Sequence, residues 1–63
     1  SAVPLFDALS PSLRAVAEGM YAGLSDKEIA RELGISHATA RTYAARVLRA
    51  LGLHNRRDLM RPR

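Results

Sequence analysis

The side chains with chemical reach in this sequence are mostly arginines, and they gather at one end. Seven arginines follow residue 35, accompanied by a single acid, Asp58. Residues 1–35 instead carry five acids against Arg14, Lys27 and Arg31. The net charge of +4 thus divides into a slightly acidic first half and a strongly basic second half. A basic half of this kind suits a polyanion. Nine of the ten cations are arginine, whose flat guanidinium can hold a phosphate or a guanine edge through two parallel hydrogen bonds. Other chemistries fail on inventory. Without cysteine there is no disulfide, thiolate metal site or thiol nucleophile. His37 and His54 are far apart in sequence with no acid converging on them, so neither a metal site nor a cofactor is expected. There is no glycine-rich phosphate loop and no candidate triad, and 63 residues leave little room for a closed pocket, so no enzyme is expected.

The cations are best ordered between residues 37 and 51. Ala40, Tyr43, Ala44, Val47, Leu48 and Leu51 recur at the spacing of one helix face. They leave His37, Ala38, Arg41, Thr42, Ala45 and Arg49 on the opposite face, with Arg46 at its edge. A solvated helix face ordinarily mixes signs, because opposite charges four residues apart support the helix. This face holds no acid. Arginine, threonine and alanine together can meet phosphates, guanine edges and thymine methyls in the major groove of double-stranded DNA.

That face needs a scaffold, and the sequence supplies an all-α one. Alanine and leucine, both strong helix formers, dominate the 48% of hydrophobic residues. No segment alternates with the period of a strand. Residues 1–9 carry no strong helix signal, with Pro4 opposing an early start, and read as an N-terminal segment or the end of a linker whose Leu5, Phe6 and Leu9 pack on the domain formed by residues 10–63. Four helices are expected, near 10–22, 26–33, 37–51 and 56–61. Ser10 and Pro11 start the first; Leu13, Val16, Ala17, Met20, Tyr21 and Leu24 form its apolar stripe, and Gly23 ends it. Gly19, in mid-helix, implies close approach to a neighbouring helix. Ser25 and Glu28 form a capping box for the second helix, with Leu24 and Ile29 as its hydrophobic staple and Ile29, Ala30 and Leu33 as its buried stripe. Ser36 caps the third and Asn55 the fourth, where Leu59 and Met60 are the apolar anchors.

Between the second and third helices only Gly34, Ile35 and Ser36 intervene. So short a turn forces the helices to cross steeply, the arrangement of a helix-turn-helix. Small residues at Ala30 and Ala40 permit close packing across it. At this point residues 9–59 resemble the LuxR-type (GerE-type) DNA-binding domain of bacterial transcription regulators. The stretches that carry the likeness are LSP at 9–11, GLSDKEIARELGIS at 23–36, TARTY at 39–43 and VLRALGLHNRRDL at 47–59. The sequence departs from the family pattern at Leu13 and Ala15, where a pair of glutamates is common, at Tyr43 for histidine, and at Ala45 for a polar or basic residue.

The resemblance implies a domain whose third helix enters the major groove, acting as the output of an upstream sensor or receiver domain in transcription control. Arg41, Thr42 and Ala45 then fall at base-contact positions, and Lys27, Thr39 and Arg46 at phosphate-contact positions. His37, at the start of the third helix, and Arg49 are further candidates for phosphate. Tyr43 lies on the apolar stripe, which suits a core residue whose hydroxyl reaches the surface, and a phosphate contact is compatible with that. Arg56 and Arg57 read equally as backbone contacts or as a solvated pair beside Asp58. A homodimer on DNA would read two half-sites about one helical turn apart. The alternatives are a helix-turn-helix turned to protein–protein regulation, favoured by the smooth alanines at 38, 40, 44 and 45, and a promoter-binding region 4 of a sigma factor, disfavoured by the tail LGLHNRRDL. With no apolar run of bilayer length and no secretory leader pattern, the expected setting is the cytoplasm, away from membranes.

Overall fold

Serine sets the start of every α-helix. In the computed structural model, which describes residues 3–60, Ser10 precedes α1 (Pro11–Tyr21), Ser25 precedes α2 (Asp26–Leu33) and Ser36 precedes α3 (His37–Ala50). Each hydroxyl oxygen accepts the backbone N–H three residues on, at 3.4, 3.1 and 3.0 Å, satisfying a donor the helix itself cannot. At α2 the box is reciprocal, since the Ser25 N–H donates to Glu28 Oε1 at 2.8 Å.

The helices also end alike. The N–H of Leu24, Ile35 and Leu53 each reaches back five residues, to the carbonyls of Gly19, Ala30 and Leu48, at 2.8–3.0 Å. The residues before them, Gly23, Gly34 and Gly52, all have positive φ. This closure pairs otherwise orphaned carbonyls and needs a left-handed residue, which is why glycine stands there. At Gly34 it turns the chain from α2 into α3 within three residues, as the spacing requires of a helix-turn-helix.

The protein is all-α among the described residues, with three α-helices flanked by two single turns of 3-10 helix, η1 (Pro4–Ala8) and η2 (Arg56–Leu59). Both turns correct the sequence reading. Proline excludes a helix interior but suits its first position, so Pro4 begins η1 rather than preventing it. Phe6, carried by that turn, is fully buried, and its ring meets Tyr21 edge-on at 6.2 Å. Leu5 is not packed as expected; it is 58% exposed. At the other end the helix expected near 56–61 is the short η2, and Met60 follows in extended conformation; residue 61 lies outside the described residues. Side chains three apart eclipse in a 3-10 turn. Arg56 and Leu59 therefore point inward together, Arg56 to a carboxylate and a carbonyl, Leu59 into the core.

α3 packs across both α1 and α2. Val16, Ala17 and Met20 of α1, Ile29 and Ala30 of α2, and Ala40, Ala44 and Val47 of α3 form the buried centre with Phe6, Leu9 and Leu59. Leu13, Tyr21, Leu24, Tyr43, Leu48 and Leu51 ring it half-buried. Gly19 has the close neighbour its position implied, as a Cβ there would lie 2.8 Å from Cγ1 of the buried Ile29. Two apolar anchors do not hold. Leu33, at the last position of α2 beside the turn, is 40% exposed, and Met60, beyond η2, is 37% exposed.

Candidate nucleic-acid interface

The buried underside of α3 is made of alanine and valine, which brings the helix close to its neighbours and fixes which face remains outside. Ala40, Ala44 and Val47 are buried, and His37, Ala38, Arg41, Thr42, Ala45, Arg46 and Arg49 are all exposed. No aspartate or glutamate occurs between Glu32 and Asp58 in sequence, so α3 brings only positive charge to this surface. Its N-terminus, where backbone N–H groups accumulate positive potential, adds to the same field.

Four residues of the candidate set, Thr39, Thr42, Tyr43 and Arg46, meet around one shallow groove together with Ala38. Thr39 is half-buried within the cap, where Ser36 Oγ accepts the Thr39 N–H and the Ser36 hydroxyl donates to Thr39 Oγ1 at 2.8 Å. Either hydroxyl can donate in that bond, so Thr39 can also turn its proton to an outside acceptor. Tyr43 is half-buried, its ring against the core and its edge on the groove. The Arg46 guanidinium lies over that ring, 5.7 Å from its centroid. Ala45 and Arg49 line a second groove, further along α3, with Leu48, Gly52, Leu53 and His54. Arg41 stands exposed on the helix between His37 and Ala45, one turn from each. Lys27 is exposed at the second position of α2, on a different element from the other candidates.

The sequence left Arg56 as a DNA contact or a solvated group, and the structure gives it another place. Its guanidinium pairs with the Asp26 carboxylate and donates to the Leu24 carbonyl at 2.7 Å. It thereby ties η2 to the start of α2, the element that carries Lys27. The only local signals were a basic residue after the Asn55 cap and an acid in the first turn of α2; thirty residues of chain separate the partners. Arg57, beside it, is exposed. The Glu28 carboxyl is held below its ordinary range, chiefly by the Ser25 backbone N–H and then by the Ser25 hydroxyl, with a smaller effect from Arg31. This belongs to the cap of α2 and not to the arginine face. Among the described residues there is no group of three or more histidines and acids placed to hold a metal ion, and no helix is long and apolar enough to cross a membrane.

Comparison with known proteins places this geometry in a lineage. The family described as bacterial regulatory proteins, luxR family (GerE), matches residues 7–62. The chain belongs to the luxR family. Among curated proteins, this luxR-family chain is similar to the two-component response regulator PprB of Pseudomonas aeruginosa, 46% identical over 56 residues, which are 89% of the chain and 20% of that protein. It is 45% identical over 53 residues to the transcriptional regulatory protein FixJ of Bradyrhizobium diazoefficiens, covering 84% of the chain and 26% of that protein. Nodulation protein W of the same organism is 35% identical over 57 residues, 90% of the chain and 25% of that protein. The luxR-family domain thus spans a fifth to a quarter of the length of the curated relatives it matches. No solved structure gives a significant match.

Proposed function

We propose that the domain binds double-stranded DNA in a sequence-specific manner, with α3 in the major groove, as the output module of a bacterial transcription regulator. The observation that carries this reading is the exposed, acid-free face of α3, which combines Arg41, Arg46 and Arg49 with Thr42 and small alanines and projects from a helix-turn-helix. Long acidic or bulky side chains would hold such a helix off a polyanion; alanine at 38 and 45 lets its backbone approach. Family membership supports the same reading.

In this account Arg41 and Thr42 hydrogen-bond base edges and the Ala45 methyl meets a thymine methyl. His37, Thr39, Arg46 and Arg49 contact phosphates from α3, with Tyr43 beside Arg46 in the same groove, and Lys27 does so from α2. Residues 10–63 act as the DNA-binding unit, and residues 1–9 lead into it from an upstream receiver or sensor domain, consistent with relatives far longer than the matched stretch. Two copies pair on DNA. The domain works in the cytoplasm, without a cofactor and without catalysis.

A salt titration tests the proposal. Only charged side chains release counterions, so three to five neutralised phosphates per protomer predict that log K falls with log salt at a slope of about −3 to −4.5. Absence of measurable affinity for duplex DNA at low salt would overturn it and leave protein–protein regulation as the better reading.

A further inference from the structure

Of the three exposed arginines on α3, Arg46 alone lies over an aromatic ring. Tyr43 and Arg46 are three residues apart, the spacing that brings side chains together on one helix face. A cation within about 6 Å of a ring centroid is attracted by the ring's negative face, and the Arg46 guanidinium lies 5.7 Å from it. The platform is fixed. Tyr43 packs against the core, and on its far side it lines a groove with Ser12, Ala15, Leu33 and Ile35. The arginine is not held by a competing charge, since it has no ion-pair partner among the described residues and no acid shares its helix. An exposed arginine normally samples many rotamers and loses that freedom on binding. Attraction to the ring favours one placement of Arg46 beforehand while leaving its N–H groups unpaired. Beside it in the same groove are the hydroxyls of Thr39 and Thr42, each able to donate a proton to an anion. The groove therefore offers a flat cation and hydroxyl donors, without a carboxylate to repel an anion.

We infer that Tyr43 is a positioning residue: its ring pre-orients the Arg46 guanidinium as a clamp for one backbone phosphate of duplex DNA, with Thr39 as a second donor. The inference rests on the DNA-binding reading above and deepens it. It gives Tyr43 a role through Arg46 rather than through its own hydroxyl.

The test is a double-mutant cycle on the chain, read by fluorescence anisotropy with a mixed-sequence 20-base-pair duplex across a salt series. Arg46→Ala should make the slope of log K against log salt shallower by about 0.9, the loss of one phosphate contact. Tyr43→Leu should weaken binding about two- to fivefold, the range for a cation over a ring at an exposed site, and should have no effect once Arg46 is alanine. Tyr43→Phe should bind like the original chain, because it keeps the ring. Equal effects of Tyr43→Leu with and without Arg46 would overturn the inference, as would an unchanged slope in Arg46→Ala. Should Tyr43→Leu fail to fold by circular dichroism, Tyr43→Met takes its place: it keeps an apolar side chain against the core without a ring, so the same two- to fivefold loss is expected, and undiminished affinity would overturn the inference. If the original chain shows no affinity at the lowest salt, it is the DNA-binding reading that fails, a result distinct from all of these.

Discussion

The proposed base reading rests more on Arg41 than on any other side chain. It is exposed, lies on the acid-free face of α3, and has no aromatic partner to fix it against the protein. Its guanidinium can therefore extend to a base edge. Replacing it with alanine should cost about 1–3 kcal/mol of binding and relax the preference at one base position, measured by selecting duplexes from a random pool with each protein. Loss of affinity without any change in the selected sequence would make Arg41 a phosphate contact instead. Glu28 carries a different expectation. Its carboxyl is depressed in the folded protein by the Ser25 N–H and hydroxyl, so the unfolded chain binds a proton more readily than the folded one. The stabilisation it provides is complete above the ordinary carboxyl value of 4.5 and is lost as pH falls below that value toward the depressed one. Glu28→Gln keeps an acceptor but cannot titrate, so its melting temperature should decline less between pH 5 and pH 3 than that of the original chain. Equal acid sensitivity of the two proteins would remove the Glu28 carboxylate from the account.

The elements show which features a sequence exposes and which it conceals. Caps and closures are short-range: Ser25 with Glu28, Ser36 with Thr39 and Asn55 with Asp58 each span three residues, and all are found as the spacing foretells. The outward face of α3 is equally legible, because helical periodicity assigns every residue between 37 and 51 to a side. What escapes is set by distant contacts. Nothing near Arg56 reveals that Asp26 receives it. α2 ends where the spacing puts it, but nothing near Leu33 reveals that its side chain stays partly uncovered. Pro4 has the residue type of a breaker, and only the tertiary fold shows that it stands at a first helical position. The pairing of Arg46 with Tyr43 has local spacing, but the apolar stripe had already claimed Tyr43 for the core. Gly19 offers an element-scale test of packing. Alanine there would gain about 1 kcal/mol of helix propensity. Its Cβ would press on the middle of the buried Ile29 side chain at 2.8 Å, and overpacking of a tight core typically costs about 1–3 kcal/mol. The second effect should win, so Gly19→Ala should lower the urea midpoint; a higher midpoint would mean that Ile29 can move aside.

On the scale of the whole molecule, α3 defines a surface. The described residues measure 26 × 25 × 21 Å, and a helix of 14 residues is about 21 Å long. α3 is thus nearly as long as the molecule is wide, and the face it exposes carries arginine and no acid. The opposite requirement falls on the core. At roughly 0.05–0.15 kcal/mol per residue, a chain of this size has only about 3–9 kcal/mol of stability. Met20 is fully buried at the centre, and its truncation to alanine should cost about 2–5 kcal/mol. Much of the molecule should then be unfolded at 37 °C, visible as lost helical signal in circular dichroism; a native melting curve would show that the core refills the space. Placement of α3 in the major groove can be read from amide chemical shifts of the isotope-labelled chain when a duplex selected from a random pool is added. The largest changes should fall on residues 37–49 of α3, with a smaller set around Lys27. Changes confined to η1 and α1, with α3 undisturbed at saturating duplex, would contradict it.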